Sequence, residues 1–116
     1  MRYIAATEDQ EQEVVIHYCD LKKIPVVHVP NEGKRSISHG SKLKKIGMRK
    51  GFPDLFIPVA KHGYHGLFIE MKDATGKKTA TPEQLKWINI LVSNGYYACV
   101  RHGAQEAINE INAYMS

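Results

Sequence analysis

Several features that would place this chain in a special class of proteins are scarce or missing. No apolar run approaches the roughly 20 residues that a membrane-spanning helix needs, and the opening segment MRYIAATEDQ has no hydrophobic stretch typical of a signal peptide. Cysteine occurs only at Cys19 and Cys99, without the close spacing of metal ligands or of a disulfide framework. These absences predict a cytoplasmic protein with two free, buried thiols.

Zinc-ligand spacing is also missing, although the chain contains six histidines. No HxxxH pair occurs and no cysteine pair accompanies the histidines, which argues against a zinc site. The hydrophobic fraction of 43% and the charged fraction of 24% are those of an ordinary globular protein. A length of 116 residues suits one domain with one modest core, so residues 1–116 are predicted to form a single domain.

Acidic residues are absent from one stretch that is rich in lysine and arginine. The formal net charge is only +4, but seven of the sixteen basic residues lie between positions 34 and 50. They are Lys34, Arg35, Lys42, Lys44, Lys45, Arg49 and Lys50. This density of positive charge is typical of a surface that contacts nucleic-acid phosphates. The alternative is a solvated loop without a ligand, and charge alone leaves both interpretations open.

Helix and strand signals alternate along the chain. Thr7 and Thr81 each precede a glutamine by three positions, the capping-box signature, and they predict helices over 7–21 and from Thr81 onwards. Apolar spacing predicts a last helix after Ala104. Short apolar or β-branched runs predict strands at 24–29, 55–59, 67–71 and 96–100. The order is α-β-loop-β-β-α-β-α, with room for one helical turn around 41–46 in the loop. This order predicts an α/β fold with a mixed sheet flanked by helices, and the helix before the last strand predicts that the last two strands are parallel.

Apolar positions at helical spacing predict the buried face of each helix. In the first helix these residues are Val14, His17, Tyr18 and Leu21. In the helix after Thr81 they are Leu85, Ile88, Leu91 and Val92, with Trp87 one position off the stripe and interpreted as a packing residue. In the last helix they are Ala104, Ala107, Ile108, Ile111 and Tyr114.

The two middle strands carry the residues that suggest chemistry. If their connecting turn is centred near Gly63, Asp54 lies opposite Lys72, with Glu70 diagonal to it. Glu70 and Lys72 are two residues apart on one strand, so their side chains leave the same face. Two carboxylates among apolar neighbours repel each other, and a bound cation would offset this repulsion. Carboxylate oxygens are ligands that suit Mg²⁺ or Mn²⁺. An ion pair at the end of an edge strand is the alternative.

These motifs resemble those of a known nuclease family. The run FPDLF with Asp54 and the run LFIEMK with Glu70 and Lys72 are similar to the core of the PD-(D/E)xK superfamily, which has a restriction-endonuclease-like fold. The closer resemblance is to the VRR-NUC branch, especially to stand-alone members from phages and prophages. It extends to the runs VPNEGKRS, MRKGFPDL and TPEQLKWINILVSNGYYACV, and covers nearly the whole chain.

The resemblance implies a metal-dependent endonuclease and a role for each matching residue. Asp54 and Glu70 would bind Mg²⁺ or Mn²⁺ together with the backbone carbonyl of Met71. Glu13, on the first helix, would complete the acidic pocket directly or through water. Lys72 would act on the attacking water and on charge at the phosphate. The implied catalytic set is Glu13, Asp54, Glu70, Lys72 and Gln84, although Gln84 could equally be a plain capping-box residue.

Stand-alone members of this branch look like homodimers that cut four-way DNA junctions. The resemblance therefore implies a structure-selective deoxyribonuclease, active on branched DNA in the cytoplasm of a bacterial host. Two alternatives stay open. One is a non-cleaving nucleic-acid-binding module with the same fold, and the other is a small protein whose acidic and basic residues are only structural.

Overall fold

The computed structural model describes residues 4–30 and 37–116, which form four helices and one four-stranded sheet. In chain order the elements are α1 (Glu8–Leu21), β1 (Val27–His28), α2 (Ile37–Lys45), β2 (Leu55–Ile57), β3 (Leu67–Lys72), α3 (Pro82–Ser93), β4 (Tyr97–His102) and α4 (Gly103–Met115). The predicted order is confirmed, except that a nine-residue helix occupies the region predicted as loop. Within the described ranges, none of the helices has the length and apolar character needed to cross a membrane.

The sheet is mixed, with the strands in the order β1-β2-β3-β4. The first two neighbouring pairs are antiparallel, and β3 pairs in parallel with β4 through the α3 crossover, as predicted. Every residue of β3 is buried, because this inner strand has a neighbour on each edge and helices over the sheet. A Glu and a Lys in such a strand are therefore out of bulk water.

The pairing of β2 with β3 differs by two residues from the predicted register. Leu55 lies opposite Ile69, so Asp54, one residue before it, comes level with Glu70 and not with Lys72. The carboxyl pair is thus closer than predicted, since directly opposite residues in a sheet are nearer than diagonal ones.

The connection between these strands explains the shift. Lys61 and Tyr64 form an isolated bridge that encloses a two-residue turn, residues 62 and 63. The centre of this turn therefore lies between these two residues, half a position before the predicted centre at Gly63. Residues 58–60 separate β2 from the bridge, whereas only residues 65 and 66 separate the bridge from β3. The extra residue on the β2 side acts as a bulge and, with the earlier turn, moves the register by two.

The two faces of the sheet carry different layers. Helices α1 and α4 cover one face, where the core residues are Val15, Cys19, Leu55, Ile57, Leu67, Ile69, Met71, Ala104, Ala107, Ile111 and Tyr114. The predicted stripe of the last helix is confirmed, and both cysteines are free thiols. On the other face Phe56 stacks on Phe68 with ring centroids 4.3 Å apart. Glu70 and Lys72 share the Phe68 face, because strand side chains alternate.

The buried side of α1 is not the predicted one. Val15 and Cys19 are buried, whereas Val14 and Leu21 are largely exposed. Apolar residues occupy three consecutive positions, 14–16, so the sequence allows more than one stripe. Packing against α4 and β3 selects the side that contains the small buried thiol.

The predicted stripe of α3 is also wrong in part. Leu91 is buried, but the side chains of Leu85 and Val92 are 49% and 54% exposed. Trp87 packs edge-on against Phe52, with ring centroids 5.3 Å apart, which confirms its packing role. The residues on the less exposed side of α3 are Gln84, Trp87, Ile88 and Leu91. This rotation of the helix turns Gln84 inward.

Candidate active site

Three carboxyl groups converge where β2, β3 and α1 meet. One oxygen each from Glu8, Asp54 and Glu70 lies within 4.8 Å of the other two. Asp54 directly precedes β2, Glu70 lies in the inner strand β3, and Glu8 is the first residue of α1. The predicted meeting of Asp54 with Glu70 is confirmed, and a third carboxyl group joins them.

That third group is Glu8, and Glu13, which was predicted for this place, does not join the cluster. Glu13 is exposed and lies five residues further along α1, which turns its side chain about 140° around the helix. Glu8 lies seven residues before the buried Val15, a spacing of about two turns that places both on one side. The spacing of Glu8 from Val15 and Cys19 is the signal in the sequence that points to Glu8.

Burial and mutual repulsion disfavour negative charge in this cluster. Glu70 is only 3% exposed, and the pKa of its carboxyl group is raised by burial first and then by the charge of Asp54. The pKa of Glu8 is raised by the same two causes in the same order. Three hard oxygen donors that repel one another fit a divalent cation of the Mg²⁺ type, since the ion would relieve the repulsion.

Lys72 supplies a positive charge beside the cluster. Its side chain is buried, with 7% exposure, and leaves β3 on the same face as Glu70. Its positive charge opposes the rise in the pKa of both Glu70 and Glu8. The predicted convergence of two strand carboxylates with this lysine is therefore present, although the register that produces it is different.

Backbone contacts hold Asp54 in place. The N–H of Met71 donates to Oδ2 of Asp54 at 2.8 Å, and the carbonyl oxygen of Asp54 accepts from the N–H of Val29 at 2.7 Å. Nδ1 of His28 lies 3.1 Å from the same carbonyl oxygen. Asp54 is thus fixed from β1 and from β3. The ligand role of the Met71 carbonyl stays a prediction.

Gly51 allows the loop before Asp54 to touch α3. It is buried with a φ of +90°, and a Cβ at this position would lie 2.6 Å from the carbonyl carbon of Glu83. Only glycine tolerates both the backbone conformation and this close approach. The motif GFPD therefore contains a structural requirement as well as the carboxylate, a role that the sequence interpretation missed.

Gln84 connects α3 to the cluster. Its Oε1 accepts from the N–H of Thr81 at 2.9 Å, and the Thr81 hydroxyl accepts from the N–H of Gln84, which completes the predicted capping box. Its Nε2 donates to Oε2 of Glu70 at 3.1 Å. Gln84 is therefore a capping-box residue that also contacts Glu70, and its catalytic role stays a prediction. The capping bond fixes the amide so that its NH₂ group points at Glu70.

In the basic segment between positions 34 and 50, the lysine and arginine residues that the structure describes are exposed. Lys42, Lys44 and Lys45 lie on α2 and in its last turn, and Arg49 and Lys50 follow it. A guanidinium nitrogen of Arg49 donates to the carbonyl oxygen of Lys44 at 2.9 Å, which ties this segment to the end of the helix. Lys34 and Arg35 lie outside the described residues. The segment is joined to the site along the chain, because Gly51 follows Lys50 and Asp54 lies three residues after Gly51.

Comparison with known proteins gives the family. The sequence matches the VRR-NUC domain over residues 6–105. The chain belongs to the VRR-NUC domain family. A solved structure described as a "VRR_NUC domain protein" is similar, with a TM-score of 0.84 and 34% identity over 97% of this chain and 90% of the other. A second, described as "VRR_NUC domain", shares the fold with a TM-score of 0.62 and 19% identity over 94% and 99% of the two chains. No curated protein matches the sequence.

Membership of the VRR-NUC family implies a nuclease-type function with DNA as the substrate. Nuclease domains of this kind generally depend on divalent metals, and the carboxyl cluster is a group of side chains that could hold such an ion.

Proposed function

We propose that this VRR-NUC domain is a Mg²⁺- or Mn²⁺-dependent endonuclease that hydrolyses phosphodiester bonds in branched DNA. The observation that carries the proposal is the cluster of Glu8, Asp54 and Glu70 within 4.8 Å, with the buried Lys72 beside it. Such an arrangement is costly in a buried strand unless it serves a bound cation.

Each residue has a distinct task in this proposal. Glu8, Asp54 and Glu70 would hold the ion, which when bound supplies positive charge that polarises a phosphate and acidifies a water. Lys72 would orient the attacking water by hydrogen bonding and offset the negative charge that develops on the phosphate oxygens. Gln84 would keep Oε2 of Glu70 occupied, so that the other oxygen faces the ion.

The basic residues between positions 34 and 50 are proposed to contact DNA phosphates. Lys42, Lys44 and Lys45 are exposed on one short helix that has no acidic residue in its first turn. Phosphate contacts of this kind supply affinity that falls steeply with salt and little sequence preference. This behaviour suits an enzyme that recognises the shape of DNA.

A homodimer is proposed as the active form, because a four-way junction needs two incisions and the described residues contain one carboxyl cluster. The outward side of α3 offers a contact surface, since Leu85 and Val92 lie seven residues apart on one side of the helix and are about half exposed. The resemblance to stand-alone members supports both the dimer and the branched substrate. Light scattering of the wild type and of Leu85→Glu would test this assembly.

The proposed activity is tested with a panel of labelled DNAs: junction, flap, bubble, single strand and duplex. We expect cleavage of the junction or flap with Mn²⁺ or Mg²⁺, none with a chelator, and much slower cleavage of the duplex. Binding without cleavage under all metal conditions would favour the non-cleaving module. Absence of both binding and cleavage would leave the cluster as a structural feature only.

A further inference from the structure

Two lysines outside the predicted DNA-binding set lie on the loop that follows β3. Strand β3 ends at Lys72, which pairs with His102 at the end of β4, and the chain then turns through residues 73–81 before α3 begins. Lys77 and Lys78 lie on this turn and are exposed. Because the turn starts directly after Lys72, it leaves β3 at the end of the strand where the carboxyl cluster lies.

This loop is held by its own hydrogen bonds. Oδ1 of Asp73 accepts from the N–H and the hydroxyl of Thr75 at 3.1 and 2.6 Å. Oγ1 of Thr75 accepts from the N–H of Lys77 at 3.2 Å. Nε2 of His102 lies 2.7 Å from the carbonyl oxygen of Lys78, so the ring donates and ties the loop to β4. The two lysines therefore project from a backbone whose position is already set.

The loop lies beside the first turn of α1, which carries Glu8 and Glu11. A Cβ at Gly103 would lie 2.8 Å from Cβ of Ala74 and 3.6 Å from Oε2 of Glu11, so the loop and this helical turn are neighbours. The ammonium group of Lys78 is 3.2 Å from Oδ2 of Asp73, the first residue of the loop. Lys78 is thus a second cation, besides Lys72, at this end of β3. Unlike Lys72, its side chain is 60% exposed and can meet a ligand from solvent.

We propose that Lys77 and Lys78 form a second phosphate-contacting surface on the Glu8 side of the carboxyl cluster. The occupant is the DNA backbone next to the phosphate that is cut, and the proposal rests on the nuclease function proposed above. DNA would then be held both by the segment that ends at Lys50 and by this loop. The ion pair with Asp73 does not prevent the contact, because the Lys78 side chain is 60% exposed and its ammonium group has three N–H donors.

The experiment compares two pairs of adjacent exposed lysines. Lys22 and Lys23 follow the far end of α1, about 20 Å along the helix from Glu8, and provide the matched control. The variants are Lys77→Gln with Lys78→Gln, and Lys22→Gln with Lys23→Gln, so each loses two positive charges. Single-turnover cleavage of the substrate preferred by the wild type is measured over a range of protein and salt concentrations.

We expect the Lys77/Lys78 variant to need about tenfold more protein for half-maximal cleavage, with a smaller loss in the rate at saturation. Its salt dependence should flatten by one to two units of slope, about 0.9 for each lost phosphate contact. The Lys22/Lys23 variant should show neither change. Melting temperatures and circular dichroism establish that both variants are folded, and Lys77→Gln alone preserves the ion pair with Asp73 if the double variant is unstable.

Two negative outcomes can be told apart. If the wild type cleaves DNA and both lysine pairs give the same half-saturating concentration and salt slope, the second surface is contradicted and the nuclease function stands. If the wild type cleaves no DNA in the presence of Mg²⁺ or Mn²⁺, the proposed function fails, and the inference that rests on it fails as well.

Discussion

Site residues on strands and site residues on helices are held in different ways. Glu70 and Lys72 lie in the inner strand β3, where pairing with β4 and burial fix them. Glu8 and Gln84 lie in the first turns of α1 and α3, half-buried, and each of these helices begins with a complete capping box. A strand residue keeps its place unless the sheet changes, whereas a residue in a first helical turn depends on the cap and on the rotation of the helix.

This difference suggests a division of tasks. The strands present the carboxylate and ammonium groups of the chemistry, and the helix starts complete and orient that set. We therefore expect the largest losses of activity from strand-side substitutions and smaller, graded losses from the helix starts. Substitutions that keep the caps intact distinguish the two, because they change a functional group without changing the fold.

The largest effect is expected at Asp54. Asp54→Asn removes a charged ligand, but its side-chain oxygen can still accept from the N–H of Met71, so the protein should fold. Cleavage should fall by more than about a thousandfold, since loss of metal assistance costs several kcal/mol of transition-state stabilisation. Mn²⁺ should raise the melting temperature of the wild type and not of the variant. Equal stabilisation of both proteins would remove Asp54 from the metal site.

A smaller effect is expected at Glu8, and Glu13 on the same helix is its control. Glu8→Gln should slow cleavage by about ten- to a hundredfold and raise the Mn²⁺ concentration needed for half-maximal activity, as is typical for a supporting metal contact. Glu13→Gln, an exposed position, should behave like the wild type. If Glu13→Gln has the larger effect, α1 is rotated in the active protein relative to this structure.

Gln84 is expected to have a milder effect again. Gln84→Glu keeps the capping box, because glutamate serves equally well there, but replaces the NH₂ donor to Glu70 by a carboxylate oxygen. Cleavage should slow about tenfold while the helix content stays unchanged. Gln10→Glu makes the same change in the capping box of α1, away from the cluster, and should cleave normally. Identical rates for both variants would show that Gln84 is only a cap.

The smallest effect is on stability and depends on pH. Because the pKa of Glu70 is raised in the folded protein, by burial first and then by Asp54, folded Glu70 keeps a proton that the unfolded chain has released. The contribution of Glu70 to the free energy of unfolding of the metal-free protein is therefore fully present below about pH 4.5. This contribution is lost as the pH rises through the pKa of Glu70 in the folded protein. Glu70→Gln should flatten this decline and stabilise the metal-free protein near neutral pH by about 1 kcal/mol or more. Chemical denaturation at several pH values measures the free energy of unfolding of both proteins. If the stability of Glu70→Gln declines with pH as steeply as that of the wild type, another group causes the decline.

The strand part of the site could be predicted from the sequence because its rule is local. Glu70 and Lys72 share a face through the two-residue period of a strand, whatever the neighbours are. Their presence in an apolar run indicated function without knowledge of the register. The register itself was wrong, because the extra residue among 58–60 lies in a connection whose shape no pattern fixes.

For the site residues on helices, the sequence predicts where each helix begins but not which side of the helix faces the site. The capping boxes of Thr7 and Thr81 gave the right first residues, but not the rotation of each helix. Apolar residues lie on several sides of α1 and α3, so their spacing does not define one face. The last helix has buried residues on one side only, from Ala104 to Tyr114, and there the prediction was right. Glu13 is implied only by the family resemblance, whereas the observed rotation of α1 turns Glu8 towards the cluster.

The most direct test of the account is single-turnover cleavage by Lys72→Ala, measured beside a binding titration on the same branched DNA with metal present. Lys72 acts on the attacking water and on charge that appears only in the transition state, so its loss should lower the rate far more than the affinity. We expect a folded protein that binds DNA like the wild type and cleaves at least about a hundredfold more slowly. Cleavage by Lys72→Ala at the wild-type rate would contradict the assignment of this strand as the nuclease active site.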